Sequence, residues 1–181
     1  MWLCQSYIQV SEILLHVVPS LTGSSAVITS ESGGNLRVCG FGSGGRYAKS
    51  VRLWFSDLTP IRLGQCSHMQ YTFKPISQLS QTIVSVALGQ DHTLVLTRVG
   101  EVLSWGLNRF SQLGYPVDPP AAGRSEEPIQ YTPRKVQGFL RKEVVKGVAA
   151  SKYASACWTE NAVYTWGTNN GQLGEFCAKL R

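Results

Sequence analysis

Asp91-His92 is a carboxylate beside an imidazole, the pairing from which general acid–base chemistry is built. Such a pair needs a nucleophile or a metal as well before it can do a reaction. A second candidate is Gly40-Phe41-Gly42-Ser43-Gly44-Gly45, which satisfies G-x-G-x-x-G after a strand-like run. A dinucleotide site would use those glycines to bring a pyrophosphate against a helix N-terminus, with an acid about 20 residues further on. Pro60-Ile61-Arg62 occupies that window, so no cofactor is expected. Cys4, Cys39, Cys66, Cys157 and Cys177 are odd in number and form no C-x-x-C pair, which argues against zinc and against a disulfide framework. Trp105 and Trp166 could form an aromatic ligand cage.

The elements that must position these residues repeat. Residues 86–114 and 148–174 are imperfect copies of each other. Val86 matches Val148, Trp105-Gly106 matches Trp166-Gly167, and Gln112-Leu113-Gly114 matches Gln172-Leu173-Gly174, at offsets of 62, 61 and 60 residues. A fixed period with drifting loop lengths marks a stacked or radial array, in which no single unit buries its own apolar face. Each copy reads as a β-hairpin, 93–97 with 102–105 and 155–158 with 163–166, preceded by a further strand at 83–87 and 144–149. Gln70-Tyr71-Thr72 recurs as Gln130-Tyr131-Thr132, which suggests a fourth strand per period. Four short antiparallel strands with Gly and Trp at fixed places is the pattern of a propeller blade.

The repeat also settles two of the candidate chemistries. The copy of Asp91-His92 is Tyr153-Ala154, so the array does not require acid–base work there, and a buried, hydrogen-bonded structural His92 is the preferred reading. Recurrence of Trp105 at Trp166 argues for core packing rather than a cage. Gly40 aligns with Gly106 and Gly167 as a turn glycine, with Cys39 in the place of Trp105. Gly106, Gly114, Gly167 and Gly174 are expected at turns where a Cβ would clash.

A partial third copy opens the chain, its hairpin formed by residues 26–29 and 35–40. No Leu-Gly follows Gly40 at the spacing that separates Gly106 from Leu113-Gly114; Leu63-Gly64 comes sixteen residues late. Residues 47–62 therefore read as an insertion, either a translated unspliced intron or a natural surface loop, since lengthening a loop costs little entropy. The expected organisation is an N-terminal segment of uncertain order (1–25), a partial first blade (26–46), the insertion (47–62), repeats at 63–114 and 130–174, a Pro-rich loop (115–129) and a tail (175–181).

Bulk properties constrain the class. Hydrophobic residues are 43% and charged residues 15%, enough for a core and below the roughly 25% charged of average domains. The net charge of +6 allows an acidic partner such as nucleic acid or a membrane surface, but a mildly basic soluble protein is the preferred reading. Part of the excess sits at Arg134, Lys135, Arg141, Lys142 and Lys146, without interleaved aromatics. Ile13-Leu14-Leu15-His16-Val17-Val18 is too short to span a bilayer and no Lys or Arg precedes it, so neither a membrane segment nor a secretory signal is expected. Unpaired thiols fit a reducing compartment, giving a cytoplasmic (alternatively nuclear) location.

At these residues the chain resembles the regulator of chromosome condensation repeat family. Gly89-Gln90-Asp91-His92-Thr93 matches its G-x-x-H-[ST] element, Ser104-Trp105-Gly106 the W-G hairpin end, and Asn108 through Gln112-Leu113-Gly114 the N-x-x-G-Q-L-G element. The second copy keeps Trp166-Gly167 and Asn170-Gly171-Gln172-Leu173-Gly174 but has Ala154 where the His belongs. The run C-G-F-G-S-G-G-R is similar to multidomain proteins related to the inhibitor of Bruton tyrosine kinase, which carry ankyrin repeats and BTB domains that are not seen here. The resemblance implies an all-β fold: a partial β-propeller, about two and a half four-stranded blades of a seven-bladed ring, and so a fragment, a truncated gene model or an isoform completed by a partner. It implies no catalytic residues, cofactor, metal or small-molecule substrate, and no membrane partner. Protein partners would dock on the loops, as in a scaffold or adaptor, with chromatin binding or nucleotide exchange on a Ran-type GTPase as the alternative.

Overall fold

The computed structural model describes residues 14–19, 24–30, 36–41, 69–76, 79–117, 127–171 and 173. They form eleven β-strands and one short 3-10 turn at Gly138–Leu140. The first sheet holds β1 (Leu14–Pro19), β2 (Ser24–Thr29), β3 (Leu36–Phe41) and β4 (Met69–Pro75) in that order. The second holds β5 (Ile83–Leu88), β6 (His92–Thr97), β7 (Val102–Leu107) and β8 (Ile129–Lys135), and the third β9 (Gly147–Ala150), β10 (Ala154–Trp158) and β11 (Val163–Gly167). Every pairing is antiparallel between sequence neighbours. Pro75 and Pro133 stand on β4 and β8, the outer strands, where a missing N–H breaks no ladder.

The three sheets stack like successive blades of a propeller, and the same positions meet at each junction. Ala26, Ile28, Leu36, Val38 and Ile76 of the first unit pack against Ile83, Val86, Val95 and Trp105. Leu94, Leu96, Val102 and Val136 of the second pack in the same way against Val148, Cys157 and Trp166. Trp105 and Trp166 therefore occupy equivalent surroundings, each wedged between its own sheet and the preceding one. The far face of the third sheet carries the counterparts of this apolar set. Trp158 and Val163 stand where Leu96 and Val102 do but are 42% and 68% exposed, against 3% and 2%.

The glycines that follow the Trp or Cys share one backbone state. Gly40, Gly106 and Gly167 have φ of 108°, 112° and 102°. At Gly40 and Gly106 the pairing to the outer strand shifts register, a β-bulge that an L side chain resists. Gly40 thus serves as a bulge residue. The stretch after Phe41, where a nucleotide-binding helix would begin, lies outside the described residues, as do residues 47–62.

The sheets do not begin and end where the sequence repeats do. β4, which carries Gln70-Tyr71-Thr72, pairs with β3, and β8, with Gln130-Tyr131-Thr132, pairs with β7. Each closes the sheet before it, whereas the echo in sequence groups it with the strands that follow. Periodicity measures the length of a repeat but not its phase; the phase depends on which strand the connecting loop returns to. Residues 14–19 and 24–25, in the segment expected to precede the first blade, likewise belong to the first sheet, with β1 its inner strand.

Cys39 and Cys157 are buried free thiols. Burial, with the Glu143 carboxylate adding to it, pushes the Cys157 thiol up to about 12, so it stays protonated and packs as the counterpart of Val95.

Candidate interaction face and the clip beneath it

The connections β5–β6, β7–β8 and β9–β10 emerge at one end of the sheets, where His92 pairs with Gly106 and Ala154 with Gly167. Two turns of this end touch directly, Gln90 N–H donating to the Lys152 carbonyl at 3.3 Å.

Below them lies a buried polar clip between the second and third sheets. Ser155 Oγ donates to the Gln112 carbonyl at 2.7 Å and Trp166 Nε1 donates to the same oxygen at 2.9 Å. His92 Nε2 lies 2.9 Å from Ser155 Oγ. A carbonyl only accepts and a hydroxyl has one hydrogen, so the Ser155 proton is committed to Gln112 and His92 Nε2 must carry the donated hydrogen. This direction is opposite to that of a catalytic Ser–His pair, where the imidazole accepts the hydroxyl proton. His92 is fully buried and Ser155 is 2% exposed. The His92–Ser155 bond links the second sheet to the third, and Gly89 makes room for the imidazole: a Cβ there would fall 2.1 Å from its Cε1.

The Gln112 carbonyl is held in place by the β7–β8 connection. Asn108 Oδ1 accepts from Leu113 N–H at 2.9 Å while its Nδ2 donates to the Tyr115 carbonyl at 2.8 Å. Ser104 Oγ donates to the Leu113 carbonyl, and the Tyr115 hydroxyl donates back to the Ser104 carbonyl, both within 2.8 Å. Burial pushes that phenol up to about 12, and Arg134 lies over its ring. Leu113 is fully buried, and Gly114, at φ 78°, faces Val136 and the Trp166 indole. In the third unit Asn169 Oδ1 accepts from Gly171 N–H and Leu173 N–H, so Asn169, not Asn170, is the counterpart of Asn108. Gln172 and Gly174 lie outside the described residues.

Ser111 sits where the third unit has Gly171, and both have positive φ, 59° and 100°. A left-handed conformation costs an L residue about 1–2 kcal/mol, partly offset by the flexibility glycine adds to the unfolded chain. Ser111→Gly is therefore expected to stabilise the protein by roughly 0.5–1 kcal/mol. The urea midpoint would rise at unchanged slope; a lower midpoint contradicts this account of the turn.

Above the clip an aromatic pair, Phe110 exposed and Tyr153 partly buried, spans the junction. The rings of Phe110 and Tyr153 lie 4.9 Å apart, from the second and third units, and Lys152 Nζ sits 4.9 Å over the Tyr153 ring. Phe110 is 40% exposed. Arg109 forms an ion pair with Glu127 that, with the Asn108 N–H donating to the Pro128 carbonyl, joins both ends of the Pro-rich connection. Sequence reasoning missed this cluster because its members lie in different repeats, and missed Ser155 because its partner is a main-chain carbonyl. Among the described residues no three His, Cys, Asp or Glu side chains stand together as metal ligands.

Stacked antiparallel meanders, two of four strands and one of three among the described residues, with a positive-φ glycine in the third strand of each, define a β-propeller repeat protein. Residues 83–112 and 99–158 match two family models, each described as the regulator of chromosome condensation (RCC1) repeat, and the chain carries repeats of that family. It is 35% identical over 150 residues to BTB/POZ domain-containing protein 1 of Schizosaccharomyces pombe, covering 83% of this chain and 10% of that protein. It is 38% identical over 143 residues to the Inhibitor of Bruton tyrosine kinase of Xenopus laevis, covering 78% of this chain and 9% of that one. A third relative, the Secretion-regulating guanine nucleotide exchange factor of Bos taurus, is 33% identical over 152 residues, covering 84% of this chain and 27% of the relative. The chain thus spans a tenth or less of the first two proteins. Among solved structures, human WBSCR16 superposes with a TM-score of 0.67 at 22% identity, covering 91% of this chain and 37% of that one, which shows a shared fold.

Proposed function

We propose that this chain is a non-catalytic protein-interaction module, the propeller part of a cytoplasmic scaffold or adaptor. The observation that carries this reading is the Phe110–Tyr153–Lys152 cluster. Aromatic side chains with a cation, on turns clamped to a rigid sheet junction, give large contact area at low entropic cost, which is how interface anchors are made. The Ser155 hydroxyl donates to a main-chain carbonyl rather than to His92, which supports a non-catalytic role for this pair, and relatives named for BTB domains and for kinase inhibition fit a binding role.

The test is quantitative affinity capture with the full chain as bait. Phe110→Ser combined with Tyr153→Ser should lower recovery of the specific partners at least about tenfold, the loss of two interface anchors, while the melting temperature stays within a few degrees. Unchanged recovery refutes the assignment of this cluster. A second reading, nucleotide exchange on a small GTPase, has the bovine relative in its favour; a nucleotide-release assay with purified Ran-type GTPase separates the two, and marked acceleration by the chain would replace the scaffold reading.

A further inference from the structure

The opposite end of the sheets carries a different chemistry. Arg141, Lys142 and Lys146 lie in the connection between β8 and β9, all exposed. Arg98, also exposed, joins them from the β6–β7 turn. None of these four cations forms an ion pair among the described residues. Of the remaining basic residues in the same stretch, Arg134 covers the Tyr115 ring and Lys135 pairs with Glu101, whose carboxyl is held low chiefly by that hydrogen bond. Between the four cations stand Val99 and Val144, 66% and 58% exposed. Among the described residues the acids on the loops of this end are Glu101, taken up by Lys135, with Glu143 and Glu160.

The two loops are locked together. Val145 N–H donates to the Gly100 carbonyl at 3.0 Å, and a Cβ on Gly100 would fall 2.7 Å from Val144 Cγ1, so glycine permits the interlock. Buried Leu140 in the 3-10 turn anchors the basic connection, and Lys146 N–H donates to the Trp158 carbonyl at 2.8 Å, tying it to the third sheet. The valines are thus presented at loop tips by a fixed frame.

We infer that this end is a peripheral docking surface for an anionic lipid bilayer. Four unpaired cations around two protruding aliphatic side chains match the two attractions available at such a surface: the charge of acidic headgroups and shallow burial of apolar groups at the acyl boundary. Nucleic acid is disfavoured, because aliphatic tips have nothing to gain on a phosphodiester backbone. A protein partner is disfavoured by the residue types, since Val is under-represented among interface anchors and Lys is depleted from interfaces. No helix among the described residues is long and apolar enough to cross a membrane, so the association is adsorption at the surface. The surface is separate from the aromatic cluster at the other end and does not depend on it.

The test is co-sedimentation of the full chain with vesicles of phosphatidylcholine containing about a third phosphatidylserine, against phosphatidylcholine alone, in about 0.1 M and about 0.5 M salt. The chain should sediment with the acidic vesicles, stay in solution with the neutral ones, and be released by the higher salt. Arg141→Glu with Lys142→Glu should weaken binding by roughly tenfold or more, as should Arg98→Gln with Lys146→Gln. Val99→Ser with Val144→Ser should weaken it at unchanged charge. Lys152→Glu and the Phe110/Tyr153 variant, at the other end, should bind vesicles as the parent does, which separates failure here from failure of the scaffold reading. Equal binding to neutral vesicles overturns the proposal, as does persistence of binding in both charge variants with normal melting. A silent valine variant together with full competition by a single-stranded oligonucleotide shows a general polyanion site instead.

Discussion

Trp105→Ala is expected to cost roughly 3–5 kcal/mol, the range for deleting a fully buried Trp or Phe. The indole has no exposed surface and fills the junction between the first two sheets, among Ala26, Ile28, Leu36, Val38, Ile83, Val86 and Val95. These residues approach from two sheets, each held by its own ladder, so the space cannot close by the shift of one side chain. Against a total stability of about 5–15 kcal/mol for an ordinary domain, the loss takes a large share. Trp166→Ala removes the equivalent wedge and, in addition, the hydrogen bond to the Gln112 carbonyl. The expected readout is a strongly lowered urea midpoint or recovery only as aggregate. A soluble variant that melts as the parent does shows that the indole is not a core wedge.

Gly106→Ala adds a single methyl group and is expected to cost about 3 kcal/mol or more, from two effects that add. At φ 112° an L residue pays a steric penalty of order 1–2 kcal/mol in the backbone alone. The new Cβ would also fall 2.4 Å from the Asp91 carbonyl oxygen and 2.7 Å from the His92 Cα. Both are backbone atoms, and they belong to the turn that delivers His92 to Ser155, so relief of the clash pulls on the inter-sheet clip. Gly167 meets the Tyr153 carbonyl at 2.5 Å in the same way, and Gly167→Ala should behave alike. By contrast Gly138→Ala meets no atom within 4 Å, and a larger loss there than at Gly106 would contradict the close-approach argument. Equilibrium urea unfolding of the three variants decides it.

The fold class was legible because its signals are local and recur. Trp-Gly, Gln-Leu-Gly and the alternating runs between them appear twice at nearly one period, and the glycines report a backbone state that no other residue adopts cheaply. Cys39-Gly40 is legible as a third copy for the same reason, although Cys replaces Trp, since the glycine and not the aromatic marks the bulge. The absence of a counterpart at Ala154 favoured a buried, hydrogen-bonded His92, and the imidazole is buried against Ser155. Its partner was not readable: Ser155 bonds a histidine 63 residues away and a main-chain carbonyl 43 residues away, and no residue type announces a carbonyl.

The basic run divides along the same line. Arg134, Lys135, Arg141, Lys142 and Lys146 are one cluster in the chain, yet β8 takes the first two to Tyr115 and Glu101 and leaves the other three beside Arg98. The amino-acid sequence on its own determined the repeat, its period, the β character of its strands and the need for glycine at the bulges, because each follows from residue type and spacing along the backbone. Only the tertiary structure decided the phase of the blades, the partner of His92, and which aromatic and charged side chains share a surface. Those depend on which strand a loop returns to and which sheet packs on which, and contacts between residues 43 to 63 apart leave no trace in local pattern.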